Sequence, residues 1–404
     1  MDGGTVNTLW RRHHPCGLAA PFLLVLLLGG LTFALSHVAT ACALCLAGRT
    51  LTISAQELVY AGRSVLALPE AGGKGFRVVE VIKGEHPPGD AITDTVFRAD
   101  STAMRSTKPL LLIRDDAWRW WVNFGPIAAE QAGWLRQLAA TKRTTGMNAA
   151  EWRDHVAYLL PYLENPEPMV AEIAFAEFAS APYAALRSLK PHLDAAAIRK
   201  WSNDPALAAR QVLYTLLLGI AGGPQDAERL EKSLDAAWKS KDSTNLGAEL
   251  AADLELRGQS RVSWIEEKYF VDRNRTVPEI QAALLAMGEQ GRADAAIPRW
   301  RVIDAYRVFI REHEALAGLV AKDLAEWKCW EFVPKFTAIV HSSGSQLNAY
   351  RNGLLYYLVC SRNSEDGMAR PLPPNGWLRD PLLYFLVIGA TLFAGYSALR
   401  LKQR

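Results

Sequence analysis

Between residues 51 and 124 the chain alternates short apolar runs with turn residues. Five runs rich in aliphatic, β-branched and aromatic residues lie at 58–66, 76–82, 92–97, 110–113 and 118–124. Runs of this length, separated by glycine, proline and charged residues, predict β-strands. Both faces of residues 76–83 are partly apolar, which favours a curved sheet wrapped around a core. We therefore expect a small β-barrel domain over residues 42–127.

After Pro126 the apolar positions repeat with the period of an α-helix for more than two hundred residues. Proline-containing breakers interrupt the pattern at residues 165–166 and 204–205, among others, where each proline suits the start of a helix. The spacing indicates antiparallel helix pairs of ~35 to 45 residues, a period typical of HEAT-like α-solenoids. Residues 128–366 are therefore predicted to form a HEAT-like α-helical repeat domain, with a compact helical bundle as the alternative.

The start of the chain has the form of a secretory signal. Arg11 and Arg12 precede an uncharged apolar run over residues 18–35, and the small residues Ala39 and Ala41 stand before Cys42. This arrangement predicts a signal peptide over residues 1–41, with cleavage before Cys42. Because the apolar run is long for a leader, an uncleaved N-terminal anchor is the alternative.

The end of the chain carries a second apolar run, at residues 381–399, which is uncharged for nineteen residues. A helix needs ~20 such residues to cross a bilayer. Arg400, Lys402 and Arg404 follow at once, and the positive-inside rule assigns this tail, 400–404, to the cytoplasm. With a proline-rich linker at 367–380, the sequence predicts a single-pass protein of the cytoplasmic (inner) membrane. Its N-terminal domains would then be extracytoplasmic.

The net charge and the motifs of the chain limit the classes of function that the sequence supports. The formal net charge is only +3, and no basic block outside the termini indicates a nucleic-acid partner. The sequence contains no Gly-x-Ser-x-Gly elbow, no phosphate loop and no His-Glu-x-x-His helix. The histidines beyond the leader stand singly, so none has metal-ligand spacing. We predict no cofactor and no catalytic residue.

Cys42 and Cys45 form a Cys-x-x-Cys pair at the predicted start of the exported chain. Such a pair can cycle between dithiol and disulfide, or hold a metal through two thiolates. It is not a haem-attachment site, because Leu46 stands in the place of the histidine. A structural disulfide, redox or metal use, and lipidation of Cys42 remain open interpretations.

Cys329 and Cys360 stand symmetrically about a predicted helical hairpin. If one helix runs over about 329–341 and the next over about 347–360, the turn lies near Gly344, and the two cysteines meet at one end of the hairpin. The alternatives are a disulfide that locks this last helical pair and two reduced thiols in the core.

Residues 118–121, Trp-Arg-Trp-Trp, form an aromatic cluster. Trp118 and Trp120 are candidates for a platform on which sugars or bases stack, since strand alternation puts both on one face. Packing against the barrel or the first helix is the more frequent use of such residues, and we predict a core position for them.

Stretches of the sequence resemble two known protein families. Cysteines at the start of the exported chain, Leu-Val-Tyr-Ala-Gly-Arg at 58–63 and Val-Glu-Val-Ile-Lys-Gly at 79–84 resemble the netrin-like, tissue-inhibitor-of-metalloproteinase type of OB barrel. In those inhibitors the first residue's amine and carbonyl chelate a protease zinc. Their spacing is Cys-x-Cys, whereas here it is Cys-x-x-Cys, and the other framework cysteines are missing.

The second resemblance covers nearly the whole exported chain. Residues 174–183, Ala-Phe-Ala-Glu-Phe-Ala-Ser-Ala-Pro-Tyr, and 323–330, Asp-Leu-Ala-Glu-Trp-Lys-Cys-Trp, are similar to segments of a functionally uncharacterised family of exported bacterial proteins. That family joins an OB-type barrel to HEAT-like helices. The resemblance implies a multidomain α+β fold with one C-terminal transmembrane helix, and it supplies no catalytic residues.

Solenoids offer long surfaces to polypeptide partners. The sequence therefore predicts a membrane-anchored, extracytoplasmic protein-binding scaffold without catalytic activity. One alternative is a thiol-redox or metal-binding protein acting through Cys42 and Cys45. The other is a protease inhibitor of the netrin-like type.

Overall fold

The structure is a computed structural model that describes residues 44, 53–71, 75–93, 96–97, 103–115, 120–292, 295–342 and 349–364. A curled antiparallel sheet comes first and many helices follow, which makes the fold α+β, as predicted. The predicted signal peptide, linker, membrane span and tail lie outside the described residues. Within the described ranges, no helix combines the length and the apolarity needed to cross a membrane.

The sheet forms a half-barrel. Its strands are β1 (Arg63–Pro69), β2 (Phe76–Lys83), β3 (Ala91–Ile92), β4 (Val96–Phe97), β5 (Leu110–Arg114) and β6 (Trp121–Pro126). The order is β3-β2-β1-β5-β6-β4, antiparallel throughout except that β4 runs parallel to β6. The register between β1 and β2 shifts twice, between Ser64 and Val65 and between Leu66 and Ala67. Irregularities of this kind bend a strand and increase its twist, which accounts for the curl.

The half-barrel encloses an apolar core. Its buried members come from five strands and are Val65, Ala67, Phe76, Val78, Ile92, Leu110, Leu112 and Trp121. All of these residues except Ala67 belong to the apolar runs that predicted the strands. One boundary was wrong: residues 58–60 were expected in a strand but end helix α1 (Ala55–Tyr60). The backbone N–H of Ala55 donates to Glu177 Oε1 at 2.9 Å, so a distant carboxylate stabilises this helix start.

The helices after the sheet are α2 (Ala132–Ala139), α3 (Ala149–Leu159), α4 (Pro168–Ser180), α5 (Tyr183–Ser188), α6 (Ala195–Ser202), α7 (Gln211–Ala221), α8 (Pro224–Ser240), α9 (Leu246–Arg257), α10 (Val262–Ile265), α11 (Val277–Arg292), α12 (Arg299–Glu312), α13 (Ala321–Glu326), α14 (Val333–Ser342) and α15 (Ala349–Asn363). A π-helical turn, Glu266–Val271, extends α10. Helix starts follow local capping rules. Asn148 and Glu151 form a capping box before α3, and Pro224 occupies the first position of α8.

Helices that are close in sequence pack closely in space. Helix α9 packs against α7, α8 and α11, and α14 packs against α15. At the α7–α9 crossing a Cβ atom on Gly219 would lie 2.4 Å from Ala252 Cα. Only glycine allows the two backbones to approach this closely.

Helix α4 joins the half-barrel to the helices. Its Glu177 caps α1, as described above, and Lys108 Nζ, just before β5, lies 3.0 Å from Glu167 Oε2 at the α4 N-terminus. Glu177 Oε2 also lies 2.7 Å from His155 Nε2 of α3, and both side chains are buried. A single carboxylate thus contacts α3 and also α1, which stands at the start of the sheet domain.

Candidate functional site

A cleft of about 320 Å³ lies between the start of α4 and the 3₁₀ turn that precedes α7. Glu164 and Glu172 line one wall and Arg210 lines the other. Pro166 and Leu207 add apolar surface. The volume is at the lower end of the ~300–1,000 Å³ that small-molecule pockets span. The cleft therefore matches one side chain or a small ion better than a large cofactor.

Two polar turns shape the cleft walls. The Asn165 side-chain oxygen accepts from the backbone N–H of Glu167 at 2.9 Å, which fixes the turn into α4. On the other wall, Asp204 Oδ1 accepts from the backbone N–H of Ala206 at 2.9 Å. Leu207 then departs from helical geometry, with φ −100° and ψ 15°. Both turns use the side-chain oxygen of Asn or Asp as a local acceptor, the role these residues favour outside helices.

Arg210 bridges the two carboxylates. Its Nη1 donates to Glu164 Oε1 at 2.8 Å and to the Leu163 carbonyl at 2.9 Å, and its Nη2 donates to Glu172 Oε2 at 3.3 Å. The Tyr214 hydroxyl also donates to Glu164. The charged side chains that line the cleft are two carboxylates and one guanidinium, which sum to a formal charge of −1. Electrostatics therefore favour a cationic ligand.

The two other polar groups of this network have fixed protonation states. Burial lowers the pKa of Arg210, but the hydrogen bond to Glu164 and the electrostatic interactions with Tyr214 and Glu164 together outweigh burial, so the pKa is raised. Burial, followed by the hydrogen bond to Glu164, raises the pKa of Tyr214 well above its ordinary value. Arg210 stays charged and Tyr214 stays neutral at physiological pH. Neither is matched to proton transfer near neutrality, so both suit binding better than acid–base catalysis.

The predicted cysteine sites are described only in part. Cys42 and Cys45 lie outside the described residues, whereas Leu44 between them is buried. Cys329 and Cys360 are half-buried free thiols. Burial and the Glu331 carboxylate raise the pKa of Cys329 to about 11, and burial raises the pKa of Cys360. Little thiolate forms at neutral pH, so neither is a reactive nucleophile.

The predicted helical hairpin around these cysteines is present as α14 and α15. The Tyr357 hydroxyl donates to the Cys329 carbonyl and so ties the two ends together. The disulfide between Cys329 and Cys360 stays a prediction.

Two tryptophans of the 118–121 cluster, Trp120 and Trp121, differ in burial. Trp118 lies outside the described residues. Trp120 is 44% exposed, so its predicted core position is wrong. Trp121 is the core residue instead. It is 1% exposed, and its ring centroid lies 5.6 Å from that of His86 in a T-shaped arrangement. Strand β6 begins only at Trp121, which leaves Trp120 at the rim of the half-barrel.

Sequence reasoning missed the cleft because its charged residues are far apart in the chain. Glu164 and Arg210 are 46 positions apart and match no local motif. The breakers at 165–166 and 204–205 were identified only as helix starts, yet each lies beside the cleft. Acidic and basic residues next to paired Asx-Pro turns are the signal that would have pointed here.

Among the residues that the structure describes, no group of three or more His, Cys, Asp or Glu side chains is arranged to hold a metal ion.

No protein-family model matches the chain, and neither curated proteins nor solved structures provide a significant match. The functional conclusion therefore rests on the residues of this chain and on the geometry of the cleft.

Proposed function

We propose that the protein is a membrane-anchored, extracytoplasmic scaffold that binds another protein and has no catalytic activity. The observation that carries this proposal is the cleft at Glu164, Glu172 and Arg210. Its net negative charge and side-chain-sized volume suit a lysine or arginine side chain of a partner polypeptide. The apolar wall at Pro166 and Leu207 would contact the aliphatic stem of such a side chain.

The proposal also covers the fold types of the half-barrel and of the helical region. We propose that the half-barrel is of the OB, netrin-like type and that the helices form a HEAT-like solenoid. Packing of α9 on α7, α8 and α11 supports the second point, because solenoid repeats contact their sequence neighbours. The resemblance to exported bacterial proteins that join these two domains supports both assignments.

The proposed location in the cell rests on the sequence. The signal peptide over residues 1–41, the apolar run at 381–399 and the basic tail after it support anchoring in the cytoplasmic membrane with both domains outside. An anchored scaffold acts on partners close to the membrane surface.

Quantitative cross-linking in native membranes tests the proposal. Wild-type full chain should recover a reproducible protein partner. The double variant Glu164→Gln, Glu172→Gln removes both negative charges of the cleft with little change of shape. It should lower recovery at least about tenfold, since close charge pairs at interfaces couple by about 1.5 kcal/mol or more.

Glu267→Gln provides the matched control, because Glu267 is an exposed glutamate on the π-helical turn away from the cleft. Its recovery should equal that of wild type. Equal recovery by all three proteins would reject the cleft as the contact site, and no reproducible partner under any growth condition would reject the scaffold function.

A further inference from the structure

The charged side chains of the cleft are more buried than its uncharged rim. Side-chain exposure is 12% for Arg210, 22% for Glu164 and 19% for Glu172. The lining residues that are exposed carry no charge, and we call them the rim: Pro166, Pro168, Ala206 and Ala209. A ligand of this cleft therefore meets apolar groups at the rim and charged groups inside.

Arg210 already engages one oxygen of each carboxylate. Its Nη1 donates to Glu164 Oε1 at 2.8 Å, and its Nη2 donates to Glu172 Oε2 at 3.3 Å. The Tyr214 hydroxyl donates to the same Oε1 of Glu164. While Arg210 stays in place, neither carboxylate can offer both of its oxygens to an incoming cation.

Lysine and arginine place different demands on an acceptor. A guanidinium is a planar fork that pairs best with both oxygens of one carboxylate. An ammonium is a compact charge with three donors, so it can bond to single oxygens of two different groups. Two carboxylates that are each engaged at one oxygen match the ammonium better than the fork.

We infer that the cleft accepts lysine in preference to arginine, within a stretch of small uncharged residues of the partner; this inference rests on the proposed binding function of the cleft. Arg210 is then the specificity-determining residue, because it holds the oxygen that the second arm of a guanidinium would need. Residues beside the lysine contact the rim, where a charged side chain would lose water without gaining a partner.

Fluorescence anisotropy of labelled probe peptides, with the full chain in detergent, tests the inference. The probes are Ala-Pro-Ala-Lys-Ala-Pro-Ala and its two forms with arginine or acetyl-lysine at the centre. The lysine probe should bind at least about tenfold more tightly than the arginine probe, which cannot form its bidentate pair. The acetyl-lysine probe should not bind, because acetylation removes the charge.

Variants of the cleft separate this inference from the proposed function. Glu164→Gln with Glu172→Gln should abolish binding of the lysine probe, whereas Glu267→Gln should leave it unchanged. Equal affinities of the lysine and arginine probes, both lost in the double variant, would overturn the lysine preference and leave the cleft as a cation site. No binding of the lysine probe would overturn the inference, and partner recovery by cross-linking then decides separately on the scaffold function.

Arg210→Gln tests the origin of the preference. Without the guanidinium, a carboxylate can receive an arginine through both oxygens, so the preference for lysine should fall below about threefold. Far-UV circular dichroism checks that the variant is folded, and the wild-type comparison does not depend on it. An unchanged preference in the folded variant would contradict the role of Arg210.

The rim is tested by two further probes, in which lysine or glutamate replaces both alanines next to the central lysine. Both should bind at least about threefold more weakly than the alanine-flanked probe, because a charge of either sign loses water against the rim. Tighter binding of the lysine-flanked probe would show that charge alone selects the ligand, and it would overturn the uncharged context.

Discussion

The half-barrel and the helical region bury different kinds of residues. The half-barrel core consists of apolar side chains from five strands, centred on Val65, Leu112 and Trp121. The helical region adds buried or partly buried ion pairs that join neighbouring elements. These pairs are Arg199–Asp226, Arg261–Asp253 and Arg292–Asp323.

The difference shows what each region needs for a unique arrangement. In a sheet, alternation and hydrogen-bond register already determine which residues face the core. Amphipathic helices can pack on several neighbours with similar apolar contacts, so a further interaction is needed to select the correct neighbour. We infer that the buried ion pairs provide it, because a helix paired with the wrong neighbour would leave a charge buried without a partner.

The largest effect is expected from Arg292→Met in the helical region. Arg292 lies 2.9 Å from Glu289 and also pairs with Asp323, and both carboxylates are largely buried. Removing it should lower the free energy of unfolding by about 4 kcal/mol, since the remaining buried charges lose their partner. Urea unfolding of the full chain measures this change.

Arg307→Met is the control, since Arg307 pairs with Asp304 and Glu331 on the surface. Its cost should be below about 1 kcal/mol. Equal costs for the two variants would show that the buried pair contributes no more than a surface pair, and the contrast with the half-barrel would then lose its basis.

A second variant tests how closely the helices approach. Gly219→Ala would drive a Cβ into the backbone of Ala252 and should lower the free energy of unfolding by about 3 kcal/mol. Gly133→Ala, on the exposed side of α2, should be neutral or stabilising by up to about 1 kcal/mol. Urea midpoints compare the two. A neutral Gly219→Ala would show that α7 and α9 are farther apart than described.

In the half-barrel, removal of a buried polar group should raise the free energy of unfolding, which is the opposite of the effect expected for Arg292→Met. Ser64 in β1 is fully buried, and its hydroxyl has no hydrogen-bond partner among the described residues. Ser64→Ala should therefore raise the free energy of unfolding by about 1 kcal/mol, as measured by urea unfolding. A destabilising result would mean that the half-barrel, too, depends on a buried polar interaction.

The smallest expected effect is a change in acid sensitivity. The hydrogen bond from Arg199, opposed by burial, holds the pKa of Asp226 below its ordinary 3.8. Because the folded pKa is lowered, the stabilisation is present above 3.8 and disappears as the pH falls through the folded value. Wild type should lose more stability than Asp226→Asn between about pH 5 and pH 2 in urea titrations. Parallel losses would show that this pair does not contribute.

Much of the fold was predictable from local patterns. The strand runs, the onset of helices after Pro126 and the hairpin between Cys329 and Cys360 follow from period and turn chemistry. The helix at Ala55–Tyr60 was not predictable, because its cap comes from Glu177, 122 positions away. The exposed position of Trp120 depends on where β6 starts, and strand boundaries are set by tertiary pairing.

The candidate site was less predictable than the fold. The cleft brings together charged residues from helix α4 and from two turns that carry no shared motif. It is a product of helix packing. A single sequence reports which faces are apolar, but it does not report which distant charges become partners.

The most direct test of the scaffold function is photocross-linking from the cleft in native membranes. A diazirine amino acid at Ala206, which is exposed on the cleft wall, should give one reproducible protein adduct. The same group at exposed Ala150 on α3 should not give it, and Glu164→Gln with Glu172→Gln should abolish it. No adduct from position 206, or the same adducts from both positions, would contradict a partner bound in this cleft.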